Sequence, residues 1–259
     1  MNDETFLDEA LAAAREAADA AARVIAPHWQ RGVAVEHKAD ATPVTVADRE
    51  AELAIKAVLR ARFPGHGFHG EEFGREQGDG EHLWLVDPID GTKSFVRGNP
   101  FFSTQIALMR GGKLLLGVSS APHFGETAWA RRGGGAWLDG KRIRCADTAR
   151  IGDAAISFGN LKTLARSARW PDVAGVVRDA NRTRGYGDFY HYHLLARGAI
   201  DAVVESDVNI LDIAPLVVIL REAGAVFTDL EGREPGLATT SVLAATPGLH
   251  QELLRRLSR

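Results

Sequence analysis

Residues 84–98 read Trp84-Leu85-Val86-Asp87-Pro88-Ile89-Asp90-Gly91-Thr92-Lys93-Ser94-Phe95-Val96-Arg97-Gly98, and the fold is decided by how this stretch is read. The apolar run at 83–86 predicts a short buried strand that ends on Asp87. Asp90 follows, and Gly91-Thr92 open a turn into a helix. Pro88 keeps Asp87 out of the helical region, so both carboxylates leave the strand end along a stiff bend. Two acids projected from one strand terminus repel each other unless a hard cation lies between them. The N–H groups of Gly91 and Thr92 suit a phosphate. Metal and phosphate are implied together, although Asp90-Gly91 taken alone is also ordinary turn chemistry.

Composition narrows the function classes. The chain has 259 residues, enough for one large core or two subdomains sharing one. A net charge of −3 and the lack of any basic tract speak against nucleic acid. Cys145 is the only cysteine, so one chain has neither a disulfide framework nor a cysteine zinc site, and a reducing cytoplasm is the expected compartment. The acidic start at residues 1–5 lacks the basic and apolar regions of a signal peptide. The longest apolar stretch, 213–220, is too short for a bilayer, so no membrane partner is expected.

Outward from the central stretch, residues 3–26 predict a helix stopped by Pro27. A second helix is expected at 48–62, with Leu53, Ala54, Ala57 and Val58 at helical spacing. The segment 32–45 between them is a polar loop bearing Lys38, and 64–69 is a Gly/His-rich loop before Gly70-Glu71-Glu72. Strands are expected at 103–109, 113–119, 126–130 and 136–138, joined by glycine turns into a largely antiparallel sheet. Beyond residue 148 helices and strands alternate: strands at 155–158, 202–205, 225–228 and 241–245, and helices at 188–197 and 212–223. A helical segment at 161–180 is interrupted by Trp170-Pro171, and a last helix closes the chain. Asp188 and Asp212 both read as helix N-caps, and Asp48 as an acid at a helix start.

The order Lys38, Asp48, Gly70-Glu71-Glu72, Asp87-Pro88-Ile89-Asp90-Gly91-Thr92 and Asp212 resembles the inositol monophosphatase superfamily of magnesium-dependent, lithium-sensitive phosphatases. The resemblance implies an α+β, layered αβαβα sandwich with two subdomains, 1–147 carrying most metal ligands and 148–259 carrying Asp212 and the substrate contacts. It implies that Glu71, Asp87 and the carbonyl of Ile89 hold one magnesium ion, and that Asp87, Asp90 and Asp212 hold a second. A third, weaker ion belongs near Glu71. Thr92 and Asp48 match the pair that orients the attacking water, and Gly91 with Thr92 would meet the phosphate. Lys38 and Glu72 are further candidates, Glu72 as support to the ligands. The family usually has Trp where Leu211 stands here. A homodimer is also implied.

The segment 93–98 and the segment Arg184-Gly185-Tyr186-Gly187-Asp188-Phe189 are similar to the histidinol-phosphatase branch of that superfamily. Histidinol phosphate carries an ammonium and an imidazole, so its pocket needs acceptors and negative charge. Asp188 and Glu205 supply them. An inositol-1-monophosphatase, or another small-molecule phosphatase of the same superfamily, is the alternative within the family. A regulatory binding protein that kept the fold is the alternative outside it, although every ligand position is filled. His66, His69, His191 and His193 lack zinc-site spacing, and His191 and His193 point to different faces of one helix.

Overall fold

The computed structural model describes residues 3–31, 36–37, 43–78 and 80–257. Helix α1 (Asp3–Arg31) runs on through Pro27 where the sequence predicts a stop. Packing beyond the proline explains this: Trp29 lies against Phe95 and Phe102, with ring centroids 5.6 and 4.9 Å apart. Two short strands, β1 (Glu36–His37) and β2 (Pro43–Val44), pair antiparallel, and α2 (Val46–Arg62) follows. The inward face of α2 is not the expected one. Leu53 is exposed, and the buried positions are Ala47, Asp48, Ala51, Glu52, Ile55 and Leu59. The buried set spaces as a helical stripe too, but it contains two acids, which apolar periodicity alone passes over.

The next strands are β3 (Gly67–Gly70), β4 (Gly74–Glu76) and β5 (His82–Asp90). The short helix α3 (Thr92–Val96) precedes β6 (Ser103–Arg110), β7 (Lys113–Ala121), β8 (Glu126–Arg131), β9 (Gly135–Leu138) and β10 (Lys141–Ile143). They form an eight-stranded sheet in the order β10-β9-β8-β7-β6-β5-β3-β4. Residues 64–69, read as a loop, thus include a strand. β3 pairs parallel with β5, and that ladder stabilises it despite its two glycines.

A second, five-stranded sheet runs β12-β11-β13-β15-β14. Its strands are β11 (Ala155–Phe158), β12 (Arg182–Arg184), β13 (Ala202–Ser206), β14 (Val226–Thr228) and β15 (Ser241–Ala245). Its helices are α4 (Leu161–Arg166), α5 (Trp170–Asp179), α6 (Asp188–Ala196), α7 (Ile210–Glu222) and α8 (Pro247–Leu257). The break expected at Trp170-Pro171 falls before them. Trp170 and Pro171 begin α5, where a proline has no hydrogen bond to lose.

Alternation along the strands sorts the side chains into layers. Trp84, Val86, Ile106 and Leu108 face α1 and α2, whereas Leu83, Leu85, Ala107 and Met109 face α6 and α7. Val203, Phe227, Val242 and Ala244 of the second sheet cover the other side of α6 and α7. Ile156, Val204 and Leu243 turn away toward α4, α5 and α8. The result is five layers, αβαβα, as expected. Residues 213–220 are buried all round because α7 lies between two sheets. Gly117 of β7 permits the contact, since a Cβ there would meet the Pro215 backbone at 2.4 Å. No described helix is long and apolar enough to cross a membrane.

Candidate active site

Strand β5 carries the first two acids past its expected end. Asp87 pairs with Gln105 and Asp90 with Ser103, so β5 holds one residue more than β6 across this interval. In a regular strand Asp87 and Asp90 would face opposite sides, and the bulge brings them to one. Ile89 N–H donates to Asp87 Oδ1 at 2.9 Å and the Thr104 hydroxyl to the Pro88 carbonyl at 2.8 Å, which pin the bulge. Gly91 then turns the chain at φ 89°, where a Cβ would meet the Phe101 carbonyl at 2.6 Å, and Thr92 starts α3.

Two capping boxes bring further acids. Thr45 caps α2 and Asp48 is its third residue, with Thr45 N–H and hydroxyl donating to Asp48 Oδ2 at 2.8 and 2.6 Å. Asn209 caps α7 and Asp212 is its third residue, so Asp212 is not the N-cap that the sequence predicts. Asn209 N–H donates to Asp212 Oδ2 at 3.0 Å and its amide to Oδ1 at 2.8 Å. The local reason is the reciprocal pairing of a capping residue with an acid three positions on.

Carboxylate oxygens of Asp87, Asp90 and Asp212 lie within 4.8 Å of one another. Burial, then Glu71 and Asp90, hold the Asp87 carboxyl well above the usual carboxylate range. Burial, then Asp212 and Asp188, do the same to Asp90. Asp212 is pushed up to about 7, chiefly by burial, against the Asn209 hydrogen bonds that favour its charge. Glu71 follows β3, its N–H donating to the Val86 carbonyl at 3.1 Å, and its charge adds to the upward push on Asp87, Asp48 and Asp212. This all-oxygen, mutually repelling set fits a hard divalent cation. The Ile89 carbonyl accepts from the Thr92 hydroxyl at 3.0 Å and keeps a second lone pair. The same hydroxyl lies 3.3 Å from Asp48 Oδ1, the oxygen that Thr45 leaves open.

Glu52 is a site neighbour that the sequence reading missed. It is fully buried on α2, and accepts from the backbone N–H groups of Glu72 and Phe73 at 2.7 and 3.2 Å. Burial lifts its pKa to about 7. Gly70 makes room for it, since a Cβ there would lie 1.9 Å from Glu52 Oε1. An acid one step from Ala51, on the same stripe as Ile55 and Leu59, was the available signal. Glu72 is half-buried beside Glu71. Lys38 lies outside the described residues.

A cavity of about 120 Å³ opens beside the acids, lined in part by Asp90, Asp188, Glu205, Asp207 and Asp212. Asp188 is the first residue of α6 and Gly187 is the cap, so the N-cap expected of Asp188 is not observed. Its φ of 47° is left-handed, away from the extended backbone from which a side chain usually caps, and an aspartate tolerates it. Burial, then the charge of Glu205, push its carboxyl up to about 6. Asn160 and Asp207, also left-handed at φ 47° and 59°, line the same cavity. Backbone strain collects where sites form. Glu205 is 5% exposed, so it is not a solvated strand-end acid; it accepts from the Tyr192 hydroxyl at 2.5 Å.

The chain matches the model of the inositol monophosphatase family over residues 7–259. It is 40% identical over 229 residues to a histidinol-phosphatase of Mycobacterium tuberculosis, covering 86% of this chain and 88% of that one. It is 34% identical over 221 residues to an inositol-1-monophosphatase of Mesorhizobium japonicum, covering 83% of each. The crystal structure of the extragenic suppressor protein suhB from Bartonella henselae is similar with a TM-score of 0.88 and 30% identity, covering 97% of this chain and 99% of that one. The chain therefore belongs to the inositol monophosphatase family, metal-dependent phosphatases of small phosphate monoesters.

Proposed function

We propose that this chain is a magnesium-dependent phosphatase that hydrolyses histidinol phosphate to histidinol and phosphate. The observation that carries the reading is the acid cluster Asp87, Asp90 and Asp212 opening onto a cavity walled by three more acids, Asp188, Glu205 and Asp207. Glu71, Asp87 and the Ile89 carbonyl would hold one magnesium ion and Asp87, Asp90 and Asp212 a second, with a third near Glu71. Bound there, magnesium supplies Lewis acidity to the phosphoryl group and to the leaving oxygen.

The chain's own groups do the rest. The N–H groups of Gly91 and Thr92 orient the phosphate at the start of α3. In the reacting state the Thr92 hydroxyl would turn its single hydrogen from the Ile89 carbonyl to Asp48 Oδ1 and accept from a water, setting that water in line with the P–O ester bond. Asp48, whose pKa burial raises, is suited to receive the proton as the water oxygen joins phosphorus and the P–O ester bond breaks, and the departing alkoxide takes a proton from solvent water to become histidinol. Asp188 and Glu205 receive the substrate's cationic end, which inositol phosphate lacks. The relative named histidinol-phosphatase supports this choice.

The same reading takes 1–147 and 148–259 as subdomains with the site between them, and the protein as a cytoplasmic homodimer, which sedimentation tests. The decisive experiment is turnover of histidinol phosphate, inositol monophosphate and adenosine 3′,5′-bisphosphate, with magnesium, with chelator and with lithium. We expect preference for histidinol phosphate, loss in chelator and inhibition by lithium. Preference for inositol monophosphate would overturn the substrate, and no turnover of any ester would favour a binding protein.

A further inference from the structure

Glu205 is held from behind by a buried chain of hydrogen bonds that the reaction does not use. His191 is fully buried, with Nε2 3.0 Å from Glu205 Oε2 and Nδ1 3.2 Å from the Ser157 hydroxyl. The Tyr186 N–H donates to that hydroxyl at 3.2 Å. With Glu205 ionised, Nε2 carries the hydrogen that donates to it, and with the imidazole neutral one arrangement of protons satisfies the remaining contacts. Tyr186 N–H donates to Ser157, the Ser157 hydroxyl donates to Nδ1, and Nε2–H donates to Glu205. The Tyr192 hydroxyl donates to the same Oε2 from the side.

Both hydrogen bonds thus fall on Oε2, and among the described residues none falls on Oε1. Oε1 lies over the Cα of Gly159, where a Cβ would come within 2.0 Å of it, so the carboxylate occupies the space a side chain would fill. Tyr192 and Glu205 both line the cavity beside Asp90 and Asp212. His193, two residues on, turns the other way, to Ser119 and Glu126 of the eight-stranded sheet. The two histidines therefore serve different layers, and of the two His191 bonds to a cavity-lining residue, Glu205.

We infer that His191 is a positioning residue for substrate selection: with Ser157 behind it and Tyr192 beside it, it fixes the Glu205 carboxylate so that Oε1 is presented to a donor-bearing, cationic substrate group. This rests on the reading that Glu205 contacts the substrate. A fixed acceptor binds a cation better than a rotating one, because the side-chain ordering is complete before binding. It also explains a buried histidine and serine that packing alone would fill with apolar residues.

The test compares kcat/KM for histidinol phosphate with kcat/KM for p-nitrophenyl phosphate, which carries no cation. His191→Phe should lower the ratio of the two at least tenfold, mainly through KM for histidinol phosphate. His191→Gln places an amide N–H near the position of Nε2 and should recover most of the ratio. If His191→Phe does not fold, Ser157→Ala removes one link with less disturbance and should lower the ratio severalfold. An unchanged ratio in a folded His191→Phe or Ser157→Ala overturns the inference, provided Glu205→Gln lowers it. An unchanged ratio in Glu205→Gln overturns the substrate contact itself, and the inference with it. Failure of His191→Gln to restore the ratio makes the role one of packing.

Discussion

Helices α2 and α7 start on the same local device, an uncharged capping residue with an aspartate three positions later: Thr45 with Asp48, and Asn209 with Asp212. They differ in what the aspartate faces. Asp48 is 1% exposed and gives one oxygen to Thr45, leaving Oδ1 toward the Thr92 hydroxyl. Asp212 takes one bond from Asn209 on each oxygen and lies within carboxylate reach of Asp87 and Asp90. On the function proposed above, one motif would present a proton acceptor in one place and a cation ligand in the other. Capping and function do not compete, because a carboxylate has more acceptor sites than the cap consumes. A third helix start, that of α6, lacks the box, and its Asp188 is turned toward the cavity by a left-handed backbone.

The largest effect is expected at α7. Asp212→Asn keeps the cap but removes a ligand charge, and kcat should fall by at least about 10³-fold, the several kcal/mol that metal stabilisation supplies. Magnesium should raise the Tm of the parent, by about 2.7 kcal/mol of stability at a hundredfold excess over Kd, and this rise should vanish in Asp212→Asn. Asp48→Asn should retain it. If both variants lose the magnesium response, the two aspartates do one job and the contrast fails.

The next largest effect lies at α2. Thr92→Ala and Asp48→Asn should each lower kcat by about 10²-fold while leaving KM within a small factor, since they orient a nucleophile and do not grip substrate. A purely structural Asp48 would instead show normal kcat and a stability loss of about 1 kcal/mol in Asp48→Ala. Asp188→Asn should weaken histidinol phosphate by about 1.5–3 kcal/mol, read as KM, and p-nitrophenyl phosphate much less. Asparagine also tolerates the left-handed backbone, so Tm should hardly move.

A smaller, sharper test uses pH in chelator. Burial lifts Asp212 from 3.8 to about 7 in the folded protein. The folded state then binds the proton more tightly than the unfolded chain, so this contribution to stability is complete below about pH 4 and lost as pH rises through about 7. The Tm of the metal-free protein should fall across that window, and Asp212→Asn should fall less. Saturating magnesium should reverse the trend, because it binds the ionised acids. A parent Tm that rises from pH 5 to 7 in chelator would contradict the buried, mutually repelling cluster.

Much of this was legible in the amino-acid order because the devices involved are local. The bend at Asp87-Pro88-Ile89-Asp90-Gly91-Thr92, the strand alternation and the apolar run inside α7 all act within a few residues, so neighbours in sequence carry the signal. Even so, Asp188 and Asp212 read as caps, because an acid near a helix start looks alike at the cap, first or third position. Glu52 was hidden by its apolar stripe, and the paired role of Ser157 and His191 by their separation. The family resemblance already grouped Asp48 with Thr92 and Asp212 with Asp87 and Asp90, but only the tertiary structure shows the contacts: Asp48 meets Thr92 across 44 residues, and α7, laid over Gly117, brings Asp212 to the bulge of β5. Sequence determines where a carboxylate can be capped, because capping is a bond within one turn. What the carboxylate then faces depends on how two sheets pack around a helix, and that is a property of the whole fold.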